Sequence, residues 1–146
     1  MPQKKISKRI PITKPFLNHR EAAATRETLL SGWVTQGPRV ETFEKNFREI
    51  TGAPCACAVS SCTAALHLAL LAAGVKPGNV VLTVSHSYIA TANAVRYCQA
   101  EPVFVDIEPD SFNMDPRALA RCLTRQCVRK KNSIWYAPVK RLVVPE

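Results

Sequence analysis

Apolar residues at three- and four-residue spacing predict two helices in the first third of the chain. Residues 20–30 are rich in helix formers and end before Ser31 and Gly32, which predicts a short helix with a glycine stop. A second helix is predicted over 39–51, with Pro38 in its first turn. The apolar face of this second helix consists of Val40, Phe43, Phe47 and Ile50.

From residue 55 onward, short apolar runs alternate with helical stretches. Buried strands are predicted over 55–60, 80–84 and 102–107, and helices over 62–73, 87–99 and 117–123. Asp115 and Pro116 suit the cap and first position of the last helix. Because strands this apolar need both faces covered, we predict an α/β fold with a mostly parallel sheet flanked by helices. Functional groups in such sheets gather beyond the carboxyl ends of the strands.

Length and charge favour one folded domain with basic ends. The 146 residues carry a net charge of +9 and are 47% hydrophobic, which is enough for a core. Residues 1–14 hold five basic groups and no acid, and residues 117–146 hold eight basic groups and one acid. The region between them is slightly acidic, so the surplus positive charge lies on the two ends, which we interpret as solvated basic tails. We expect no nucleic-acid partner.

Six cysteines raise the question of compartment. The basic start has no apolar segment behind it, so it does not resemble a secretory signal, and no stretch is long and apolar enough for a membrane span. No C-x-x-C pair occurs, so we expect no metal site. A cytoplasmic location is expected, with reduced cysteines that are mostly buried.

Two loops at the predicted strand ends hold the candidate site residues. Ser61, Cys62 and Thr63 stand where a strand turns into a helix, and the amides and dipole of a helix start attract anions. Serine and threonine are also ordinary helix caps, so phosphate binding and capping both remain open. Tyr88 could cover a flat ring or cap the core. His86 is a lone histidine without a catalytic partner.

Four blocks in order carry a resemblance to a known family. They are SGWVTQGP (31–38), VSSCTAALHLA (59–69), SHSYIATAN (85–93) and PVFVDI (102–107). Together they closely resemble the N-terminal part of the DegT/DnrJ/StrS family of sugar aminotransferases, over about residues 12–123. The resemblance implies an incomplete large domain of the aspartate-aminotransferase architecture, known as pyridoxal-phosphate fold type I.

The family's properties follow as expectations. The cofactor would be pyridoxal 5'-phosphate, with Cys62, Thr63 and the adjacent Ser61 at its phosphate and Tyr88 stacked on its ring. Cys62 stands where the family commonly has Gly or Ala. The substrates would be a nucleotide-linked keto-sugar and glutamate as amino donor, and full-length relatives would be homodimers.

The sequence also departs from the family's pattern. No lysine here matches the family's Schiff-base lysine, so we expect no turnover by this chain alone. The expected organisation is a basic arm over 1–14, a partial transferase domain over 15–123 and a divergent basic tail over 124–146. Within that tail, 139–145 could be a fourth strand or an accidental end. The alternatives to an aminotransferase part are a non-catalytic phosphate-ligand binding module and an interaction protein.

Overall fold

A computed structural model of the chain describes residues 11–131 and 133–143. Most of the predicted arm at 1–14, together with residues 144–145 of the possible fourth strand, lies outside these ranges. The five predicted helices are present within the described residues. Their bounds are α1 His19–Ser31, α2 Pro38–Thr51, α3 Cys62–Ala72, α4 Ile89–Tyr97 and α5 Pro116–Arg125.

The chain divides into two compact units, the first ending at Ala58 and the second beginning at Val59. The first unit contains α1 and α2. Asn18 caps α1 through a reciprocal pair of bonds with Glu21, whereas α2 begins at Pro38 and is capped at its C-terminus by Gly52. Gly52 has a φ of 71°, a left-handed conformation that suits glycine at a helix end.

The second unit contains a two-stranded parallel sheet with helices packed on it. Strands β1 Val80–Val84 and β2 Glu101–Val105 pair in register from Val80 opposite Glu101 to Val84 opposite Val105. Helix α4 connects them and packs against both strands and against α3, while α5 packs against β2. The core cluster is formed by Val95, Cys98 and Ala100, against which Leu70, Val75 and Val81 pack.

The prediction of a strand at 55–60 is wrong, because this segment has no strand structure. Its apolar composition suits a buried strand, but a strand also needs a neighbour for its amides and carbonyls. No described strand pairs with it, and the amide of Ala58 donates instead to the Glu44 carboxylate at 2.7 Å. The parallel sheet of the described residues therefore has two strands rather than three.

Helix α3 is less covered than its composition predicts. Its residues are apolar nearly all round, yet none is fully buried, and Leu68 and Leu71 are about half exposed. One side packs against α4, and the remaining apolar surface faces outward within this unit.

The C-terminal region holds more structure than the sequence predicts. Strands β3 Cys127–Lys130, β4 Ser133–Tyr136 and β5 Arg141–Leu142 form an antiparallel sheet in that order. Only β5 falls within the possible strand at 139–145. The sequence does not predict the hairpin of β3 and β4, because basic and polar residues dominate 124–138. The pairing of the two strands is also not indicated by any local pattern.

All six cysteines are free thiols, but the prediction that most are buried is wrong. Cys98 and Cys122 are buried, Cys127 is intermediate, and Cys55, Cys57 and Cys62 are exposed. None of the helices in the described ranges combines the length and apolar character needed to cross a membrane.

Candidate functional site

The first turn of α3 is built by Ser61, which is the residue before the helix. Its backbone is extended (φ −162°, ψ 160°), and its hydroxyl oxygen accepts a hydrogen bond from the amide of Ala64 at 3.1 Å. Its carbonyl accepts from Ala65 at 3.0 Å. Ser61 is thus a true N-cap, as one of the two interpretations of this serine predicts.

Two amides at this helix start remain available. Among the described residues, neither the amide of Cys62 nor that of Thr63 has a hydrogen-bond acceptor. Cys62 is exposed and Thr63 is half-buried. The Ser61 hydroxyl accepts its capping bond with oxygen and keeps its proton for another acceptor. The amides of Cys62 and Thr63, the Ser61 hydroxyl and the positive end of the α3 dipole are groups that attract anions.

Tyr88 lies at the start of the neighbouring helix, in the same unit. It is the residue before α4, makes no capping bond with its side chain, and is 81% exposed. Its carbonyl accepts from the amide of Thr91 at 2.9 Å. The backbone of Tyr88 therefore organises the helix start, while its ring is uncovered. The core-capping interpretation of Tyr88 is not what the structure shows.

The topology brings these two helix starts to the same end of the sheet. Helix α4 runs from the end of β1 back to the start of β2, and α3 leads into the start of β1. The middle and later part of α3 packs on the later part of α4, through His67 on Tyr97 and Leu70 on the core cluster. The two helices therefore run in the same direction, opposite to the strands, and both begin on the side where the strands end. Ser61, Cys62, Thr63 and Tyr88 share this carboxyl edge, which is where α/β sheets bind ligands.

The loop after β2 closes the same edge. The carbonyl of Asp106 accepts from the amide of Asp115 at 2.9 Å, and that of Glu108 accepts from Phe112 at 3.0 Å. The ring of Phe112 contacts the imidazole of His86, with centroids 5.4 Å apart. His86 is therefore engaged in packing. This contact was not visible in the sequence, because it joins residues on two different loops.

His67, midway along α3, packs against a residue of the neighbouring helix. It is half-buried and packs edge-on against the ring of Tyr97, with centroids 5.6 Å apart. No hydrogen bond to it occurs among the described residues. The contact ties the middle of α3 to the end of α4.

Over the described ranges, no group of three or more His, Cys, Asp or Glu side chains could hold a metal ion. What this edge presents is two amides without acceptors and an exposed aromatic ring.

Comparison with known proteins gives the family. The model of the DegT/DnrJ/EryC1/StrS aminotransferase family matches residues 15–133. The chain is 44% identical over 115 residues to the spore coat polysaccharide biosynthesis protein SpsC of Bacillus subtilis, covering 79% of this chain and 30% of SpsC. It is also 44% identical over 119 residues to EpsN of the same organism, assigned as a pyridoxal phosphate-dependent aminotransferase, covering 81% of this chain and 31% of EpsN.

Solved structures agree with this match. Spr1654 of Streptococcus pneumoniae, assigned as a sugar aminotransferase and solved in its PLP-form, superposes with a TM-score of 0.70 at 35% identity. The superposition covers 77% of this chain and 29% of that one. The α/β architecture predicted from the sequence is thereby confirmed as part of the fold of these aminotransferases.

This chain belongs to the DegT/DnrJ/EryC1/StrS aminotransferase family. It spans about 30% of the length of the curated relatives that it matches. The resemblance stated from the four sequence blocks is confirmed, whereas the roles of Ser61, Cys62, Thr63 and Tyr88 stay predictions.

Proposed function

We propose that this chain is the phosphate-holding part of a pyridoxal-phosphate-dependent sugar aminotransferase, with residues 15–123 as the partial transferase domain. The observation that carries the proposal is the pair of unpartnered amides of Cys62 and Thr63 at the start of α3. They lie inside the family match, and the related Spr1654 structure is a PLP-form.

The residues at this helix start fit a phosphate ester. The Cys62 and Thr63 amides would donate to two phosphate oxygens, and the hydroxyls of Ser61 and Thr63 would donate further bonds. A backbone donor does not depend on the side chain, so cysteine at position 62 keeps this contact. Its side chain is larger than the Gly or Ala common in the family, which limits how closely the phosphate approaches.

Tyr88 fits the ring of the same cofactor. Its side chain is free of hydrogen bonds among the described residues and stands at the same sheet edge as α3. A stacked aromatic ring adds orientation and about 0.5–1.5 kcal/mol to the phosphate contacts.

Pyridoxal phosphate, when bound, supplies an electron sink for moving an amino group. That chemistry needs a lysine at the cofactor, and the four described lysines of the second unit lie elsewhere. Lys131 and Lys140 lie in the turns of the antiparallel C-terminal sheet. Lys76 lies in the turn before β1, at the opposite edge of the sheet, and the amine of Lys130 lies over the Trp135 ring. We therefore propose that this chain binds the phosphate without turnover by itself.

The remaining family properties complete the proposal. The sugar substrate of the whole enzyme would be a nucleotide-linked keto-sugar, with glutamate as the amino donor. The enzyme would be a cytoplasmic homodimer. The name of SpsC, a polysaccharide biosynthesis protein, supports an amino sugar destined for a polysaccharide.

Calorimetric titration of the purified chain tests the phosphate site. Pyridoxal phosphate is expected to bind at about micromolar Kd or weaker, since only phosphate contacts and one stacked ring hold it. Pyridoxal, which lacks the phosphate, is expected to bind at least about tenfold more weakly. Equal binding of the two compounds would contradict the proposal.

Ser61→Asp separates binding from folding. Aspartate is as good an N-cap as serine, so α3 remains capped, but its negative charge repels a phosphate. We expect weaker binding of pyridoxal phosphate with unchanged stability. The matched control is Asn18→Asp, which makes the same kind of change at the cap of α1 and is expected to leave binding unchanged.

Turnover and covalent attachment distinguish the alternatives. Incubation of the chain with pyridoxal phosphate, followed by borohydride reduction, is expected to give no stoichiometric adduct at one lysine. A separate incubation with pyridoxal phosphate and glutamate, without borohydride, is expected to give no keto-acid product. A single modified lysine with turnover would contradict the proposed inactivity. If the chain bound other phosphorylated ligands tightly but did not bind pyridoxal phosphate, the result would favour the non-catalytic binding module.

A further inference from the structure

A cluster of polar side chains lies where α5 gives way to the C-terminal sheet, away from the phosphate site. The amide oxygen of Gln126 accepts two hydrogen bonds, one from the Cys122 thiol at 3.7 Å and one from the Tyr136 hydroxyl at 3.0 Å. The backbone reinforces this arrangement, because the amide of Gln126 donates to the Cys122 carbonyl at 2.9 Å. Cys122 and Tyr136 are thus fixed on one side-chain oxygen.

Cys127 belongs to the same cluster. It is the first residue of β3 and pairs with Tyr136 across the hairpin. Burial raises the pKa of Cys127, and the neighbouring Cys122 raises it further. Cys122, on the last turns of α5, bonds to the same Gln126 oxygen as Tyr136, and Cys127, on the strand that follows, pairs with Tyr136, so both cysteines adjoin this tyrosine.

A small cavity gives access to this cluster. It has a volume of about 280 Å³ and is lined by Cys122 and Gln126 together with Arg121, Arg125 and Asp106. Cys122 is 9% exposed, so its sulfur is reached only through such an opening. Arg121 is partly neutralised by Asp115, at 3.7 Å, whereas Arg125 has no ion-pair partner among the described residues. The opening therefore suits a small reagent with negative charge.

We propose that Cys122 and Cys127 form a redox-active dithiol that low-molecular-weight anionic disulfides convert to an intrachain disulfide. The Cys122 thiolate attacks one sulfur of the reagent, forming a mixed disulfide and releasing one reagent thiolate. The Cys127 thiolate then attacks Cys122, forming the protein disulfide and releasing the second. Two protein thiols are oxidised, one reagent disulfide is reduced to two thiols, and the two thiol protons go to the leaving thiolates.

The consequence is a covalent link between α5 and the β3–β4 hairpin. In the reduced chain, the end of α5 and the start of β3 are held together by hydrogen bonds and packing around Gln126. The disulfide would replace the thiol bond to Gln126 and fix β3 against the helix in oxidising conditions.

Peptide mapping after exposure to glutathione disulfide tests the proposal on the full chain. Trypsin cuts after Arg121, Arg125 and Arg129, so the two cysteines fall in separate peptides, 122–125 and 126–129. We expect these peptides to appear as one disulfide-linked species after acid trapping and alkylation of free thiols. Cys98, buried without a neighbouring thiol, is expected to remain reduced.

Two variants and one denaturing condition test the proposed disulfide exchange further. In Cys127→Ser, Cys122 is expected to stop at the mixed disulfide with glutathione. In Arg125→Gln, the reaction with glutathione disulfide is expected to slow about threefold, whereas that with neutral hydroxyethyl disulfide is unchanged. In urea, the linked species is expected to lose its preference over other pairings of the six cysteines.

Oxidation confined to the exposed Cys55, Cys57 and Cys62 would overturn the proposal. So would a linked species formed equally well in urea, because sequence proximity rather than the fold would then explain it. The peptide map of the unaltered chain carries the test even if a cysteine variant fails to fold.

Discussion

The indole ring of Trp33 lies over Gly37. A Cβ at position 37 would lie 2.9 Å from the Cε3 atom of that ring, closer than real side chains approach. Gly37 has a φ of −176°, which any residue can adopt, so it is the space under the ring and not the backbone that requires glycine. The loop between α1 and α2 is thereby built around one aromatic contact.

Gly37→Ala is therefore expected to displace Trp33. In a Trp135→Phe background, where Trp33 is the single tryptophan, its fluorescence emission should shift and its quenching by iodide should change. The matched control is Gly52→Ala, where the φ of +71° strains the backbone by about 1 kcal/mol but nothing lies near the new methyl. Unchanged emission in Gly37→Ala would show that the ring is not held against the glycine.

Ser61→Ala is expected to destabilise the second unit through loss of its cap. The bond from the Ala64 amide disappears, and such caps contribute about 1 kcal/mol. Urea unfolding followed by circular dichroism measures the loss, and Ser61→Asp should recover it. The capping geometry would be contradicted if Ser61→Ala left the free energy of unfolding unchanged. It would also be contradicted if Ser61→Asp lowered that free energy as much as Ser61→Ala does.

The helices and the two parallel strands could be predicted because their signals are local. These signals depend only on residues close by in the sequence. They are the periodic apolar residues, the glycines at helix ends (Gly32 and Gly52) and the pair Asp115 and Pro116 at a helix start. A serine before a helix has two interpretations, capping and phosphate binding, and the family resemblance is what favoured the prediction of phosphate binding.

The errors lie where the outcome depends on distant partners. Residues 55–60 are apolar enough for a strand, but pairing requires a neighbour that local sequence does not specify. The β3–β4 hairpin is the converse case, in which a basic segment finds a partner and becomes a sheet. The contacts of His67 with Tyr97 and of His86 with Phe112 also join separate elements, so no local pattern indicates them.

Stability is expected to fall in alkaline solution because of the cluster around Gln126. Burial is the main cause that raises the pKa of Cys127 above its ordinary 9.0, and the neighbouring Cys122 adds to it. Burial is also the main cause that raises the pKa of Tyr136 above 10.0, with smaller contributions from Cys122 and Cys127. Between the unfolded and the folded pKa, the folded state keeps a proton that the unfolded state has released. The free energy of unfolding is therefore independent of these groups below about pH 9 and falls as the pH rises further.

Urea titrations at several pH values check this dependence. One such group contributes at most about 1.4 kcal/mol per pH unit. Cys127→Ser should reduce the alkaline loss of stability, and Ser111→Ala, an exposed hydroxyl change in the same unit, should not. A stability that rises with pH above 9 would have the wrong sign for this account.

Thiol reactivity is expected to follow the observed exposure. Ellman's reagent should modify Cys55, Cys57 and Cys62 rapidly in the folded chain, and Cys98 only at the rate of local or global opening. Quenching at intervals and peptide mapping give the order. Rapid modification of Cys98, the buried thiol of the core cluster, would contradict the packing of α4.

The proposal that α3 begins at a phosphate site is tested most directly at Cys62, which stands exposed between the two candidate amide donors. The measurement is the rate of Cys62 alkylation, by peptide mapping, with pyridoxal phosphate, inorganic phosphate, pyridoxal or no addition. We predict that both phosphates slow alkylation of Cys62 but not of Cys55 or Cys57, and that pyridoxal does not. Equal rates at Cys62 under all four conditions would show that no phosphate rests on the start of α3.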